Sequence, residues 1–271
     1  MKKITVIILS ALSLHLASCS TTTQDSVSGV KRSQLLLMPA ATVDSMSAQA
    51  YTETLKEAEQ KKTLNADKAM LARVRGISNR LIAQVGVFRP DAAQWNWEVN
   101  VEKNDQLNAY CMPGGKIMVY SGLIEKINAT DDELAAVIGH EIAHALREHG
   151  RERMSQAYVQ QFGLQALAAF ASGTAGGVAV QAAGAGSQLF FALPNGREQE
   201  READKMGLEL AARAGFNPNA AVTLWQKMSE QSKSAPPEFF STHPASDNRI
   251  AELKALTPKV IPLYEAAKAK K

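Results

Sequence analysis

Disulfide bonds cannot hold this protein together. Its 271 residues include two cysteines, Cys19 and Cys111, enough for one bridge at most, so stability has to come from packing. Cys111, between Tyr110 and Met112, reads as a small buried hydrophobe. An excess of charge is missing too: a formal net charge of +3 is too balanced to imply nucleic acid as a partner. No apolar run is suited to a membrane span. Ile4 to Leu16 falls short of the roughly 20 residues needed. Residues 157 to 194 are rich in Ala and Gly, but Gln160, Gln161, Gln165, Gln181 and Gln188 punctuate them and the glycines break a continuous helix. That stretch reads as a mobile lid or membrane-surface element. With 45% hydrophobic residues, the remainder can build one sizeable domain.

Histidine is also scarce, five in all, yet two of them fall in His140-Glu141-Ile142-Ala143-His144. Residues four apart on a helix lie on nearly the same face, so both imidazoles can reach one Zn²⁺, with Glu141 directed at a metal-bound water. Local chemistry supports the helix. Thr130 and Glu133 form a capping box, Asp131 and Asp132 occupy the first turn, and Leu134, Val137, Ile138, Ile142 and Ala145 form an apolar stripe. These signals predict a helix from Asp131 to His149, with His149 a cation at its C-terminus and Gly150 the stop. The competing reading is an amphipathic helix carrying two surface histidines.

A catalytic zinc needs a third protein ligand and an open position for water. Downstream, Arg197-Glu198-Gln199-Glu200-Arg201-Glu202-Ala203-Asp204 begins a second helix predicted to run to Ala214. Glu200 and Asp204 share a face there, so Glu200 can bind the metal while Asp204 holds a ligand imidazole by its other nitrogen. The same letters also describe a solvated charge run with intrahelical pairs to Arg197 and Arg201.

Four ordered segments carry a family resemblance. They are Asn108-Ala109-Tyr110-Cys111-Met112-Pro113-Gly114-Gly115-Lys116-Ile117 with Ser121-Gly122-Leu123, the motif at 140 to 144, Glu200-x-x-x-Asp204, and Thr242-His243-Pro244 with Arg249-Ile250. From Tyr51 to Leu256 the chain resembles the Ste-twenty-four-like gluzincin metallopeptidases (peptidase family M48), particularly their bacterial periplasmic and lipoprotein members. The resemblance implies a mainly α-helical α+β fold, a zincin-like metallopeptidase domain with a small β-sheet beside the active-site helix. It implies one Zn²⁺ per chain held by His140, His144 and Glu200, with Glu141 as the catalytic base and Asp204 supporting a ligand. His243 matches a histidine that either latches the open coordination position or stabilises the transition state; His243, Arg249 and Asn108 all remain candidates for the latter role. Metzincins are disfavoured, because their pattern wants glycine at position 147 and histidine at position 150, where Arg147 and Gly150 stand. The expected reaction is peptide-bond hydrolysis: zinc acidifies its water, Glu141 takes the proton, and the hydroxide attacks a polarised carbonyl.

Trp97, Val99 and Val101 alternate as a strand, and Lys116 to Tyr120 form another after the Pro113-Gly114-Gly115 turn. An exposed edge there would pair with an extended backbone, making unfolded polypeptide the natural substrate. Tyr51 to Val85 reads as helical, Asn217-Pro218 caps a helix to Gln231, and Ser246 to Leu256 form another.

The amino terminus sets the compartment. Met1-Lys2-Lys3, the short apolar core and Leu16-Ala17-Ser18-Cys19 resemble a bacterial lipoprotein signal, which implies cleavage before Cys19 and acylation of that residue. Ser20 points by analogy to the periplasm and the inner leaflet of the outer membrane. The expected organisation is a signal peptide at 1–18, a flexible tether at 19–45, the zinc metallopeptidase domain at 46–260 and a frayed tail at 261–271. The expected function is a membrane-anchored endopeptidase acting on unfolded envelope proteins, with outer-membrane assembly machinery as a partner. The alternative is a zinc-containing chaperone or assembly factor that binds unfolded outer-membrane polypeptides with little cleavage; the intact Glu141 argues for the enzyme.

Overall fold

The computed structural model describes residues 19–160, 195–231, 238–243 and 248–269. The expected signal peptide, and residues 161–194 of the expected lid, lie outside them. A hairpin of β1 (Cys19–Ser20) and β2 (Gln34–Leu35) leads into helices α1 (Ala40–Gln60) and α2 (Lys68–Ile82). Strands β3 (Glu98–Glu102), β4 (Ala109–Met112) and β5 (Lys116–Tyr120) come next, followed by helices α3 (Ser121–Glu125), α4 (Asp131–Leu146) and α5 (His149–Tyr158). The chain closes with α6 (Arg197–Arg213), α7 (Ala220–Gln231), α8 (Glu238–Thr242) and α9 (Arg249–Lys268). This is the mainly helical α+β architecture that the resemblance implies, with a three-stranded sheet and, in addition, the two-stranded β1–β2 pair.

Helix α4 starts as its letters require. The Thr130 hydroxyl accepts from the Glu133 amide at 3.2 Å, and the Glu133 carboxylate accepts from the Thr130 amide at 2.9 Å. Thr223 and Lys227 of α7 donate to the same carboxylate, so one capping residue also fixes a neighbouring helix. From Glu133 to Leu146 every side chain is buried. The helix therefore runs through the core with no exposed face, which rules out two surface histidines. Its end differs from expectation. Glu148 takes a left-handed φ of 50°, which terminates α4, and His149 starts α5 instead of finishing α4; Gly150 lies inside that next helix.

Other boundaries also move. The helical stretch predicted from Tyr51 to Val85 is two helices, broken where Lys62 and Asn65 adopt positive φ of 56° and 51° and restarted by Asp67, whose side chain accepts from the Met70 amide. The expected tether is part of the folded body. Thr23, Ser28, Val30, Gln34, Leu36 and Val43 are buried, and α1 already begins at Ala40. The expected frayed tail is helical to Lys268, with Leu263 and Tyr264 packed on the core.

The sheet has the order β3-β5-β4. Central β5 pairs in parallel with β3, matching Glu98 with Lys116, and antiparallel with β4, matching Met112 with Lys116. The β4–β5 turn needs its glycines: both have positive φ, and a Cβ on Gly115 would lie 2.6 Å from the Trp97 ring. The consequence for function is that β4 forms one edge of the sheet beside α4.

Helices α4 and α6 cross with backbones in contact. A Cβ on Gly207 would sit 2.7 Å from the backbone nitrogen of His140, and one on Gly139 would sit 3.0 Å from the Gly207 carbonyl oxygen. Glycine costs helix propensity but permits this approach. We expect Gly207→Ala to separate the helices and destabilise the fold by about 1–3 kcal/mol, as overpacked cores do; a urea midpoint equal to or above that of the unmodified protein would show that the crossing is not so tight.

Candidate metal centre

The crossing puts the two charged motifs face to face. Glu200, Ala203, Asp204 and Gly207 follow the three- and four-residue spacing of one helical face, and all are buried. On α4 the two imidazoles converge, with His140 Nε2 and His144 Nε2 3.0 Å apart. Glu200 closes the triangle, its Oε2 3.5 Å from His140 Nε2 and its Oε1 3.2 Å from His144 Nε2. A solvated charge run is therefore excluded for Glu200 and Asp204. Arg197, Glu198 and Arg201 are exposed as that reading expected, with Arg201 pairing with Glu198 within the helix and with Glu252.

His243 joins the cluster from the segment after α8. Its Nδ1 lies 2.9 Å from Glu200 Oε1 and 3.4 Å from His140 Nε2, and its Nε2 is 3.5 Å from Glu141 Oε1. The ring is held by Phe239, stacked at 4.2 Å between centroids, and by Asn195, whose amide nitrogen is 3.2 Å from Nδ1. Donor atoms of His140, His144, Glu200 and His243 all lie within 4.8 Å of one another.

The donor set fits zinc. A tetrahedral ion with bonds of about 2.0–2.1 Å separates its ligand atoms by roughly 3.3 Å, which the measured separations bracket. Imidazole nitrogens with one carboxylate oxygen are the donors zinc favours. The buried Glu141 Oε1 has no hydrogen-bond partner among the described residues, an arrangement that costs free energy unless a group enters the cleft.

Charge is managed around this cluster. Asp204 Oδ1 is 3.0 Å from His140 Nδ1, so the carboxylate fixes that ring from the side away from the cluster. Arg249, buried under Trp225 with its guanidinium 3.6 Å from the indole centroid, lies 2.8 Å from Asp204 Oδ1 and 2.9 Å from Glu200 Oε2. Burial alone would raise the Glu200 pKa, but the three histidines hold it well below the ordinary value. Asp204 is likewise lowered, burial being outweighed by Arg249 and His140. Burial pushes the Glu141 carboxyl upward, which strengthens it as a base. Burial works against the His140 cation, yet the hydrogen bonds to Asp204 and then Glu200 bring its pKa up to about 9.

Sequence reasoning misplaced one residue, His149, and left Arg249 and Asn108 unranked. Arg249, a candidate for transition-state stabilisation, is committed to Asp204 and Glu200. Asn108 lines the cleft, with its side-chain oxygen accepting from the Ala109 amide. His149 is no exposed helix-end cation: it is fully buried beside His144, and burial holds its pKa well below the usual value. Its spacing of five residues from His144 carries no signal, because one helix ends and Glu148 takes a left-handed φ between them.

Comparison with known proteins agrees with this geometry. The model of Peptidase family M48 matches residues 68–257. The chain belongs to peptidase family M48. Among curated relatives, the mitochondrial metalloendopeptidase OMA1 of Bos taurus is 31% identical over 244 residues, covering 86% of this chain and 46% of that protein. The Arabidopsis thaliana mitochondrial metalloendopeptidase OMA1 is 36% identical over 154 residues, covering 57% and 30%. The beta-barrel assembly-enhancing protease of Escherichia coli (strain K12) is 30% identical over 169 residues, covering 59% and 34%. The chain spans less than half the length of each of these relatives.

The cluster predicts unequal roles for its members. Glu200→Gln should weaken zinc binding by roughly 100-fold or more, and His243→Ala by no more than roughly 10-fold, read by competition with a coloured chelator. Equal losses would make His243 a full structural ligand, and an unchanged affinity in Glu200→Gln would remove Glu200 from the site.

Proposed function

We propose that this chain is a zinc endopeptidase in which His140, His144 and Glu200 hold the metal and Glu141 is the catalytic base. The observation that carries the reading is the convergence of the His140, His144 and Glu200 donor atoms beside the buried Glu141 carboxylate, on the wall of the cleft that β4 borders. Zinc, when bound, acidifies water and polarises a carbonyl. Glu141 takes the proton of the attacking water and returns it to the departing amine. Asp204 keeps His140 in the tautomer whose Nε2 lone pair is free, and Arg249 neutralises the carboxylates behind it. His243, within reach of both Glu200 and Glu141, closes the site at rest and withdraws when substrate enters.

Residues Asn108–Pro113 line this cleft together with Glu141 and His144. Strand β4 lies at an edge of the three-stranded sheet, so an extended polypeptide would bind by strand addition with little sequence preference. Unfolded chains are therefore the substrate class. The compartment rests on the amino-terminal sequence: a lipoprotein-type signal ending at Cys19 would anchor the enzyme in the periplasm, at the inner leaflet of the outer membrane. No helix among the described residues is long and apolar enough to cross a membrane. The likeness to a beta-barrel assembly-enhancing protease supports envelope-protein quality control and contact with outer-membrane assembly machinery.

The test compares the unmodified protein with Glu141→Gln on unfolded casein, with zinc content measured for both. Glu141→Gln should retain one zinc per chain and lose turnover by roughly 100-fold or more, the scale of general-base catalysis. Undiminished cleavage would refute the base assignment, and binding without cleavage by the unmodified protein would favour the chaperone reading.

A further inference from the structure

His149 has no part in the chemistry above, yet it is completely buried and touches the cluster from behind. Its Nδ1 lies 2.8 Å from Nδ1 of His144, and its Nε2 lies 2.9 Å from Glu202 Oε2. Two ring nitrogens at that separation need one hydrogen between them.

The position of that hydrogen follows from the zinc reading, on which this inference rests. His144 turns Nε2 toward His140 and Glu200, so a metal bound there takes the Nε2 lone pair and leaves the hydrogen on Nδ1. His149 Nδ1 must then be a bare acceptor. Its own hydrogen falls on Nε2, where the Glu202 carboxylate accepts it. Only one orientation satisfies the chain: His144 Nδ1–H to His149, and His149 Nε2–H to Glu202.

We infer that His149 is a positioning residue that locks the ligand His144 in its Nδ1–H tautomer and ring orientation through a relay anchored on Glu202. The far end is fixed by two guanidinium groups. Arg147, fully buried at the end of α4, reaches Glu202 Oε2 at 3.1 Å, and Arg32 from the amino-terminal hairpin reaches Oε1 at 3.0 Å. Gln34 of β2 donates to the Arg147 carbonyl at 2.6 Å. The hairpin thus buttresses a ligand it never touches. The two ligand histidines are oriented differently: Asp204 meets His140 directly, whereas a neutral imidazole stands between His144 and its carboxylate.

The first measurement uses the unmodified full chain loaded with zinc and labelled with ¹⁵N-histidine. Long-range ¹H–¹⁵N correlation should find His149 protonated on Nε2 alone and His144 on Nδ1. A His149 protonated on Nδ1, or on both nitrogens, overturns the relay. The second uses His149→Phe, which keeps a ring and removes both hydrogen bonds. Zinc affinity by chelator competition should fall roughly 10- to 100-fold, as loss of an outer-sphere partner does, with a shifted Co²⁺ ligand-field spectrum. His149→Asn, which offers an oxygen near the position of Nδ1, should restore most of that affinity. Unaltered affinity and spectrum in His149→Phe overturn the proposal, and if that variant does not fold, the tautomers of the unmodified protein decide. An unmodified protein that takes up no zinc would sink both the zinc reading and this one; zinc uptake with the wrong tautomer sinks only the relay.

Discussion

The contact between the backbones of α4 and α6 is the constraint on which the rest of this structure depends. Two helices with ordinary side chains at their crossing stand about 8–10 Å apart, and a carboxylate on one would meet imidazoles on the other only by chance of side-chain reach. Gly139 and Gly207 remove that separation at the position of the first histidine. Glu200 and Asp204, two turns and one turn before Gly207, then fall on opposite edges of the His140 ring. One faces Nε2 and the other Nδ1. A single backbone contact therefore sets both the donor triangle and the tautomer of a donor.

Such proximity concentrates negative charge in the core. Glu141, Glu200 and Asp204 are all buried, and a buried carboxylate without compensation is strongly unfavourable. Arg249 offsets two of them directly, and the imidazoles supply the remaining partners. Glu141 Oε1 and Glu200 Oε2 each lack a hydrogen bond, with His243 Nε2 3.5 Å from the first and Arg249 2.9 Å from the second. Glu141 Oε1, Glu200 Oε2, Arg249 Nη1 and the cleft-lining Arg153 Nε are all buried without a hydrogen-bond partner among the described residues, so unmet polar demand gathers where a reacting group would enter.

Much of this was legible from local patterns. The capping box at Thr130 and Glu133, the histidine pair and the Glu200–Asp204 spacing are short-range signals, and the structure contains each as read. What escaped is long-range or opposite to local preference. Gly207 in mid-helix reads as a loss of propensity until Gly139 is seen against it. The Ser/Thr-rich segment around Thr21 to Ser33 looks like a tether, because nothing nearby reveals that Thr21, Thr23 and Arg32 surround a fully buried Arg147. Strand β4 lies within a motif that resemblance identified, but its pairing with β5 beside the cleft follows from tertiary packing and not from alternation. His149 escapes such a reading because local signals extend the helix through Glu148, whose left-handed φ of 50° ends it and lets the next ring pack on His144.

The central claim is that one metal centre is assembled from two helices across their crossing. Anomalous scattering at the zinc edge, from crystals of the zinc-loaded full chain, tests it most directly. The account predicts a single peak bonded at about 2.0–2.2 Å to His140 Nε2, His144 Nε2 and a Glu200 oxygen. A peak elsewhere, or one bound by the histidines with Glu200 beyond bonding reach, would contradict it.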